Sequence, residues 1–361
     1  MSTLLHDSYE GKRILVTGHT GFKGSWLVKY LELLGAQVTG LSLDPEPKSL
    51  FTLADFVPKF GDTRLDLRNH KQVSDFLSNQ KFDLVFHLAA QPLVSRAYQD
   101  PIHTAEVNII ATGHLIIECS KLDSCLGIVV ATTDKVYKPN LLSEGHREND
   151  ALGGIDPYSA SKSAAEALIV GLRNAINNDN FQIASVRAGN VIGGGDFAEN
   201  RLIPDLIRAF VLSSSLDIRN PDFVRPWTHV LDILSGYISV GQKILTRSLS
   251  NTAYNFGPDG SQIISVAEVI EIASKYWGSR PNMNYAPSKM KEDSFLTLNS
   301  DLAKKDLGWS AKYDIDMAIK KTMIWWMNYE EKVSASQLVA DEILEFLQYE
   351  LIFRTHNQVL I

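Results

Sequence analysis

The chain has 361 residues, 45% hydrophobic and 21% charged, the balance of a globular protein with a large core. Lys plus Arg is 35 and Asp plus Glu is 42, a formal charge of −7, which argues against a nucleic-acid partner but not against local cations that grip a small anion. Two cysteines, Cys119 and Cys125, make neither a disulfide framework nor a zinc pattern, so no metal is expected. No N-terminal stretch reads as a signal peptide, and no apolar run approaches the ~20 residues of a membrane span. The expectation is a cytoplasmic chain with no membrane partner.

At about 150 residues per domain the length suggests two domains. Runs rich in consecutive Val, Ile and Leu predict strands over 13–18, 37–43, 82–90, 127–133 and 182–189, as strands buried on both faces should read. Helical stretches separate them at 22–35, 69–79, 101–121 and 157–176. Strand, helix, strand in alternation predicts an α/β fold with a doubly wound parallel sheet, the Rossmann arrangement. After residue 189 a Gly-rich loop (GNVIGGGDFAEN) interrupts the pattern. Helices are expected near 200–213, 229–246, 265–276 and 314–330, with a short strand near 253–257 and a helical tail from about 332 whose role is not assigned. Residues 1–189 are therefore expected to bind a dinucleotide and carry the catalytic residues. Residues 190–361 are expected to form mainly a smaller substrate-binding domain, with some elements returning to the main sheet.

Gly18, Gly21 and Gly24 lie between the first strand and the first long helix. A tight turn favours glycine there, missing Cβ atoms admit a pyrophosphate, and the helix N-terminus offers free N–H groups to the anion. The order Lys23-Gly24-Ser25 rules out a phosphate-binding P-loop, which needs Gly-Lys-Ser/Thr. Asp44 follows Gly24 by 20 residues at the end of the second strand. An acid at that distance bonds the ribose 2′-hydroxyl and favours NAD over NADP; otherwise Asp44 is a solvated turn residue before Pro45. Lys23 either pairs with a phosphate or is a solvated loop lysine. Tyr158 and Lys162 are spaced i, i+4 at the start of a helix and share one face, where a nearby ammonium favours the phenolate.

The spacing Thr17-Gly18-x-x-Gly21-Phe22-x-Gly24 resembles the extended short-chain dehydrogenase/reductase family, which acts mainly on nucleotide sugars. That resemblance implies an NAD site formed by Gly18, Thr20, Gly21, Phe22, Lys23, Gly24 and Asp44. Asp66 and Leu67 would lie near adenine, Leu88, Ala89 and Ala90 would close the fourth strand on the cofactor, and Tyr158 and Lys162 would hold the nicotinamide ribose. Asn108 with Thr112 resembles a family helix motif; their ordinary reading is helix-surface polar residues. Thr133, Tyr158 and Lys162 match the family's catalytic set. The string TTDKVY adds Asp134 and Lys135, as in the sugar-nucleotide 4,6-dehydratases, although the dTDP-glucose branch has Asp-Glu there. By that resemblance Tyr158 takes the C4 hydroxyl proton, Lys135 takes the C5 proton, and Asp134 protonates the departing C6 hydroxyl. Lys135 is otherwise a structural cation paired with Asp134 or Glu166.

The segments Arg187–Asp196, Phe197–Asp205 and Arg225–Asp232, with the glycine loop and TTDKVY, resemble the branch that acts on CDP-glucose, from about residue 10 to Trp309. Asn190, Arg201 and Arg225 are the expected substrate contacts, since arginine grips a pyrophosphate in bidentate fashion. The resemblance implies loss of water from CDP-glucose, in deoxysugar and lipopolysaccharide biosynthesis, by a homodimer paired through helices 101–121 and 157–176. A nucleotide-sugar epimerase and a non-catalytic dinucleotide-binding protein are the alternatives.

Overall fold

A computed structural model describes residues 3–139, 144–258, 263–285 and 294–358. Seven strands form the central sheet: β1 (Arg13–Thr17), β2 (Gln37–Ser42), β3 (Asp62–Arg64), β4 (Leu84–His87), β5 (Gly127–Ala131), β6 (Gln182–Ala188) and β7 (Ala253–Phe256). Their order is β7-β6-β5-β4-β1-β2-β3, and every pairing is parallel. The strand order reverses between β1 and β4. That is the switch point where a doubly wound sheet opens a crevice at the carboxyl ends of its strands.

The consecutive apolar runs are explained by burial on both faces. Ile14, Val16, Leu84 and Phe86 point into one core, while Leu15, Val85, Ile128 and Val130 point into another. Helices α1 (Phe22–Leu33), α2 (His70–Ser78), α3 (Ala111–Ser120) and α4 (Pro157–Ala175) belong to the first half; α1 covers the first face, and α2, α3 and α4 the second. From the second half come α5 (Leu202–Leu212), α6 (Val230–Leu245), α7 (Val266–Trp277), α8 (Ile315–Glu330) and α9 (Ala335–Gln358). Of these, α6 lies against the sheet beside α1, and β7 extends the sheet next to β6.

Two local features depart from the expected elements. The stretch 101–121 is not one helix: Pro101–Ala105 leads into a π-helical turn at Glu106–Ile110 and then α3. Strand β3 is too short and too polar to show as a run of apolar residues. The tail forms α9, which packs on α1 and on the short helix Leu50–Ala54. Phe346 meets Tyr30 edge-on, and Glu342 lies 3.2 Å from the buried His229 at the N-cap of α6. No helix among the described residues is long and apolar enough to cross a membrane.

Candidate active site

The glycine loop joins β1 to α1. Gly18 has φ +72, and a Cβ there would come within 2.6 Å of the Ala89 backbone, so only glycine lets β1 turn against the end of β4. A Cβ on Gly24 would lie 2.1 Å from the Gly18 carbonyl, which ties the helix to its own loop. Gly21 caps α1 without a side-chain hydrogen bond and is exposed, leaving the helix N-terminus open to an anion. This arrangement fits the pyrophosphate of a dinucleotide. Thr20, by contrast, holds the loop: its hydroxyl bonds Ser42 at 2.7 Å. His19 fills the space beside Gly40 and bonds Asp62 at 2.9 Å, joining the loop to β3.

The other expected cofactor contacts ring the same crevice. Asp44 stands two residues past β2, its side chain 90% exposed and 3.7 Å from Arg64. Asp66 is held by Arg68 at 2.7 Å, which lowers its carboxyl below the usual range, and Leu67 beside it is buried. Leu88, Ala89 and Ala90 follow β4, where the Ala89 N–H donates to Thr17 Oγ1 at 3.3 Å. Phe22 and Lys23 line the pocket described below. Lys23 is not a solvated loop lysine: it is half-buried and its ammonium donates to Tyr237 at 3.5 Å. Asn108 and Thr112 are buried, not on a helix surface. Asn108 donates to Ser161 at 2.9 Å and to the Gln91 carbonyl at 3.1 Å. Thr112 donates to the Asn108 carbonyl and so accepts from His87 Nε2, leaving His87 Nδ1 to accept from Thr17. Burial pushes His87 down to about 3, keeping the imidazole neutral. The π-helical turn that presents Asn108 thus ties the segment after β4 to the helix that carries Tyr158 and Lys162.

That helix, α4, starts with Asp156 as N-cap, a reciprocal bond with Ser159, and Pro157 in its first turn. This fixed start aims Tyr158 into the pocket, while Lys162 one turn on donates to the Ala131 carbonyl at 3.1 Å. Deeper still, Glu166 forms a two-pronged pair with Arg187 at 2.9 and 3.0 Å. It also accepts from Thr132 and Ser185, so its oxygens are occupied. Lys135 is therefore not its partner; Lys135 lies on the pocket wall beside Asp134.

Thr133 donates to Asp134 Oδ1 at 2.9 Å, while Asp134 Oδ2 is buried with no hydrogen-bond partner among the described residues. Burial raises the Asp134 carboxyl, against the pull of Lys135, Thr133 and Arg225. Burial also pushes Lys162 down to about 8, with Glu166 opposing. Burial pushes the Tyr158 phenol up to about 12, against the Thr133 bond and the charge of Arg201. A phenol in a low-dielectric pocket stays protonated until further positive charge enters.

The pocket encloses about 310 Å³ and runs from Phe22 and Lys23 past Thr133–Lys135 and Tyr158 to the second half of the chain. Asn190, Arg201 and Arg225 all line it. Asn190 accepts a backbone bond from Thr228 at 3.0 Å. Arg201 pairs with Asp196 at 3.1 Å, and buried Arg225 lies over the Phe223 ring at 5.1 Å. Sequence reasoning missed Tyr237, which sits in a helix apolar on nearly every face and so carries no pattern of its own. It also missed the stacking of Phe223 under Arg225.

A parallel dinucleotide sheet with a Thr–Tyr–Lys set at its carboxyl edge defines an enzyme that moves a hydride between a nicotinamide and a hydroxyl-bearing carbon. The chain belongs to the NAD dependent epimerase/dehydratase family, whose model matches residues 14–257. It is 37% identical over 341 residues to the CDP-glucose 4,6-dehydratase of Salmonella typhimurium, covering 91% of this chain and 95% of that one. It is 26% identical to a bifunctional UDP-glucose 4-epimerase and UDP-xylose 4-epimerase of Arabidopsis thaliana, over 87% and 95% of the two chains. Among solved structures it resembles MoeE5 in complex with UDP-glucose and NAD, with TM-score 0.77 and 25% identity over 88% of this chain and 99% of that one.

Proposed function

We propose that this chain converts CDP-glucose to CDP-4-dehydro-6-deoxyglucose and water, a step of deoxysugar and lipopolysaccharide biosynthesis. The observation that carries the reading is Asp134: a buried carboxyl with a raised proton affinity and one oxygen unpartnered among the described residues, next to Thr133 and on the wall of the pocket that Tyr158 lines. Interconverting two epimers does not call for a resident acid; expelling a hydroxyl does.

The loop Gly18–Gly24 and the N-terminus of α1 hold the NAD pyrophosphate, Asp44 its ribose, and Lys162 the nicotinamide ribose. NAD held there would supply reversible hydride transfer between the sugar carbons C4 and C6. Tyr158 accepts the C4 hydroxyl proton, assisted by Thr133. Lys135 removes the proton at C5, made acidic by the C4 ketone, and later returns one. Asp134 gives its proton to the C6 hydroxyl, which leaves as water. Arg225 and Arg201 grip the substrate's pyrophosphate, with Asn190 as an added donor. Residues 190–361 supply most of this substrate side.

The dimer belongs to the same reading. Ile110 (51% exposed), Ile117 (36%) and Val170 (50%) leave apolar side chains uncovered on the helices on either side of β5. A cytoplasmic location fits two buried free cysteines.

The test is to offer the purified protein CDP-, dTDP-, UDP- and GDP-glucose without added reductant and weigh the products. The reading predicts a product lighter by one water from CDP-glucose in preference to the others. A product of unchanged mass would make the chain an epimerase.

A further inference from the structure

Lys23 on α1 and Arg201 at the start of α5 line the catalytic pocket, as do Lys135, Arg219 and Arg225, and Lys162 on α4 lies close enough for its charge to act on Lys23. The two cations that repel Lys23 have partners of their own. Lys162 donates to a backbone carbonyl at 3.1 Å with the charge of Glu166 behind it, and Arg201 is paired with Asp196 at 3.1 Å. Lys23 instead donates to the neutral phenol of Tyr237 at 3.5 Å, its Nζ 5.6 Å from the ring centroid. Tyr237 is buried on α6, close to Tyr158 and Asp134. The groups that face Lys23 are therefore Tyr237 from α6, Lys162 from α4, Arg201 from α5, and Asp134 after β5. The acid among them, Asp134, is itself shifted toward its neutral form.

We propose that Lys23, held over Tyr237, is the proton-coupled diphosphate contact of this pocket: a diphosphate enters together with a proton that Lys23 takes up. The inference rests on the nucleotide-sugar reading above for the class of ligand. Placement supports it, since Lys23 is the second residue of α1, between Gly21 and Gly24 of the glycine loop, and lines the same cavity as Arg201 and Arg225. Electrostatics supports it as well. Burial, then the repulsion of Lys162 and Arg201, pushes Lys23 down to about 7, so near neutrality much of it carries no proton. A bound diphosphate supplies the missing counter-charge and restores the ammonium. The diphosphate is that of the dinucleotide or that of the nucleotide sugar, and separate titrations tell them apart.

The experiment is calorimetry of the full chain, titrated with NAD and, separately, with CDP, at about pH 7.5 in phosphate and in Tris, whose ionisation heats differ. Expected for one of the two ligands is uptake of about three quarters of a proton from Lys23, with a smaller share from Lys162. Lys23→Met should lose the larger share and bind about tenfold more weakly at mildly acidic pH, converging with the natural protein as pH rises. Lys23→Arg should bind without that uptake, because guanidinium is already charged. Tyr237→Phe should bring uptake nearer a full proton, since the free ammonium loses its acceptor. Binding without proton uptake, or uptake unchanged in Lys23→Met, overturns the proposal. Failure to bind either ligand overturns the nucleotide-sugar reading beneath it.

Discussion

The two ends of the crevice are built by different means. On the cofactor side, backbone does the fitting: a Cβ at Gly18 would strike the Ala89 amide, and one at Gly24 the Gly18 carbonyl. Its charges sit in exposed or half-exposed pairs, Asp66 with Arg68 and Asp62 with Arg64, and Arg68 keeps Asp66 readily ionised. Where the crevice meets the pocket, side chains from distant segments converge, and burial pushes them toward neutrality: Asp134 and Tyr158 up, Lys23 and Lys162 down. The contrast separates holding from reacting. A grip on an anion needs fixed dipoles and stable charges, whereas proton transfer needs groups poised near the point of giving up or accepting a proton.

The largest effect should come from the reacting side. Tyr158→Phe keeps the ring and removes the oxygen that we propose accepts the substrate's proton. Turnover should fall roughly 10³-fold while nucleotide affinity holds, as steady-state rates beside a binding titration will show. Unchanged turnover would remove Tyr158 from the chemistry. Glu166→Gln attacks the scaffold beneath it by leaving Arg187 buried without its counter-charge, at a cost of about 3–5 kcal/mol in urea unfolding. Glu166 has its proton affinity lowered in the fold, despite burial, by Arg187, Thr132 and Ser185. Its contribution is therefore present above the ordinary glutamate pKa and lost as pH falls through the lowered folded value. The variant should flatten that acid limb of the stability curve; an unaltered limb would show that the pair is not what titrates there.

The same division explains what the sequence discloses. Backbone fitting leaves a trace in spacing, so the glycine loop and six of the seven sheet strands are legible as glycine intervals and apolar runs. The i, i+4 pair Tyr158 and Lys162 is legible because one helix carries both. Strand β3 escapes because Asp-Thr-Arg is an edge strand read by its neighbours rather than by its own hydrophobicity. Asn108 is readable as a motif, but its place in a π-helical turn, bonded to Ser161 across 53 residues, is set by packing. Tyr237 lies 214 residues from Lys23, and no local period connects them. The upward shift of Tyr158 follows from the low dielectric of a closed pocket, which no spacing encodes.

Asp134→Asn sharpens the division within the reacting side itself. It should slow loss of water about 10²-fold while leaving the first oxidation at C4 possible. Near-ultraviolet absorbance of reduced nicotinamide should then build up on adding CDP-glucose, which it should not do in the natural protein. Because burial raises the Asp134 carboxyl, its proton persists to higher pH than in an ordinary aspartate. The dehydration rate should decline as pH climbs through that raised value. If the variant loses oxidation and dehydration alike, Asp134 acts before the water leaves, and the acid role passes to another group.

The smallest effect should lie on the holding side, at Asp44. Its carboxylate is solvent-facing, and Arg64 stands 3.7 Å away. An exposed pair of this kind contributes little to stability, so Asp44→Ala should unfold within about 0.5 kcal/mol of the natural protein. Its consequence is selective. An acid beside the ribose 2′-hydroxyl repels a 2′-phosphate, while the guanidinium behind it would welcome one once the acid is gone. Asp44→Ala should weaken NAD and strengthen NADP, each by about tenfold at most, in paired fluorescence titrations. A preference that stays put would mean that the 20-residue interval from Gly24 to Asp44 is a coincidence of loop length, and that backbone alone chooses the cofactor at this end of the crevice.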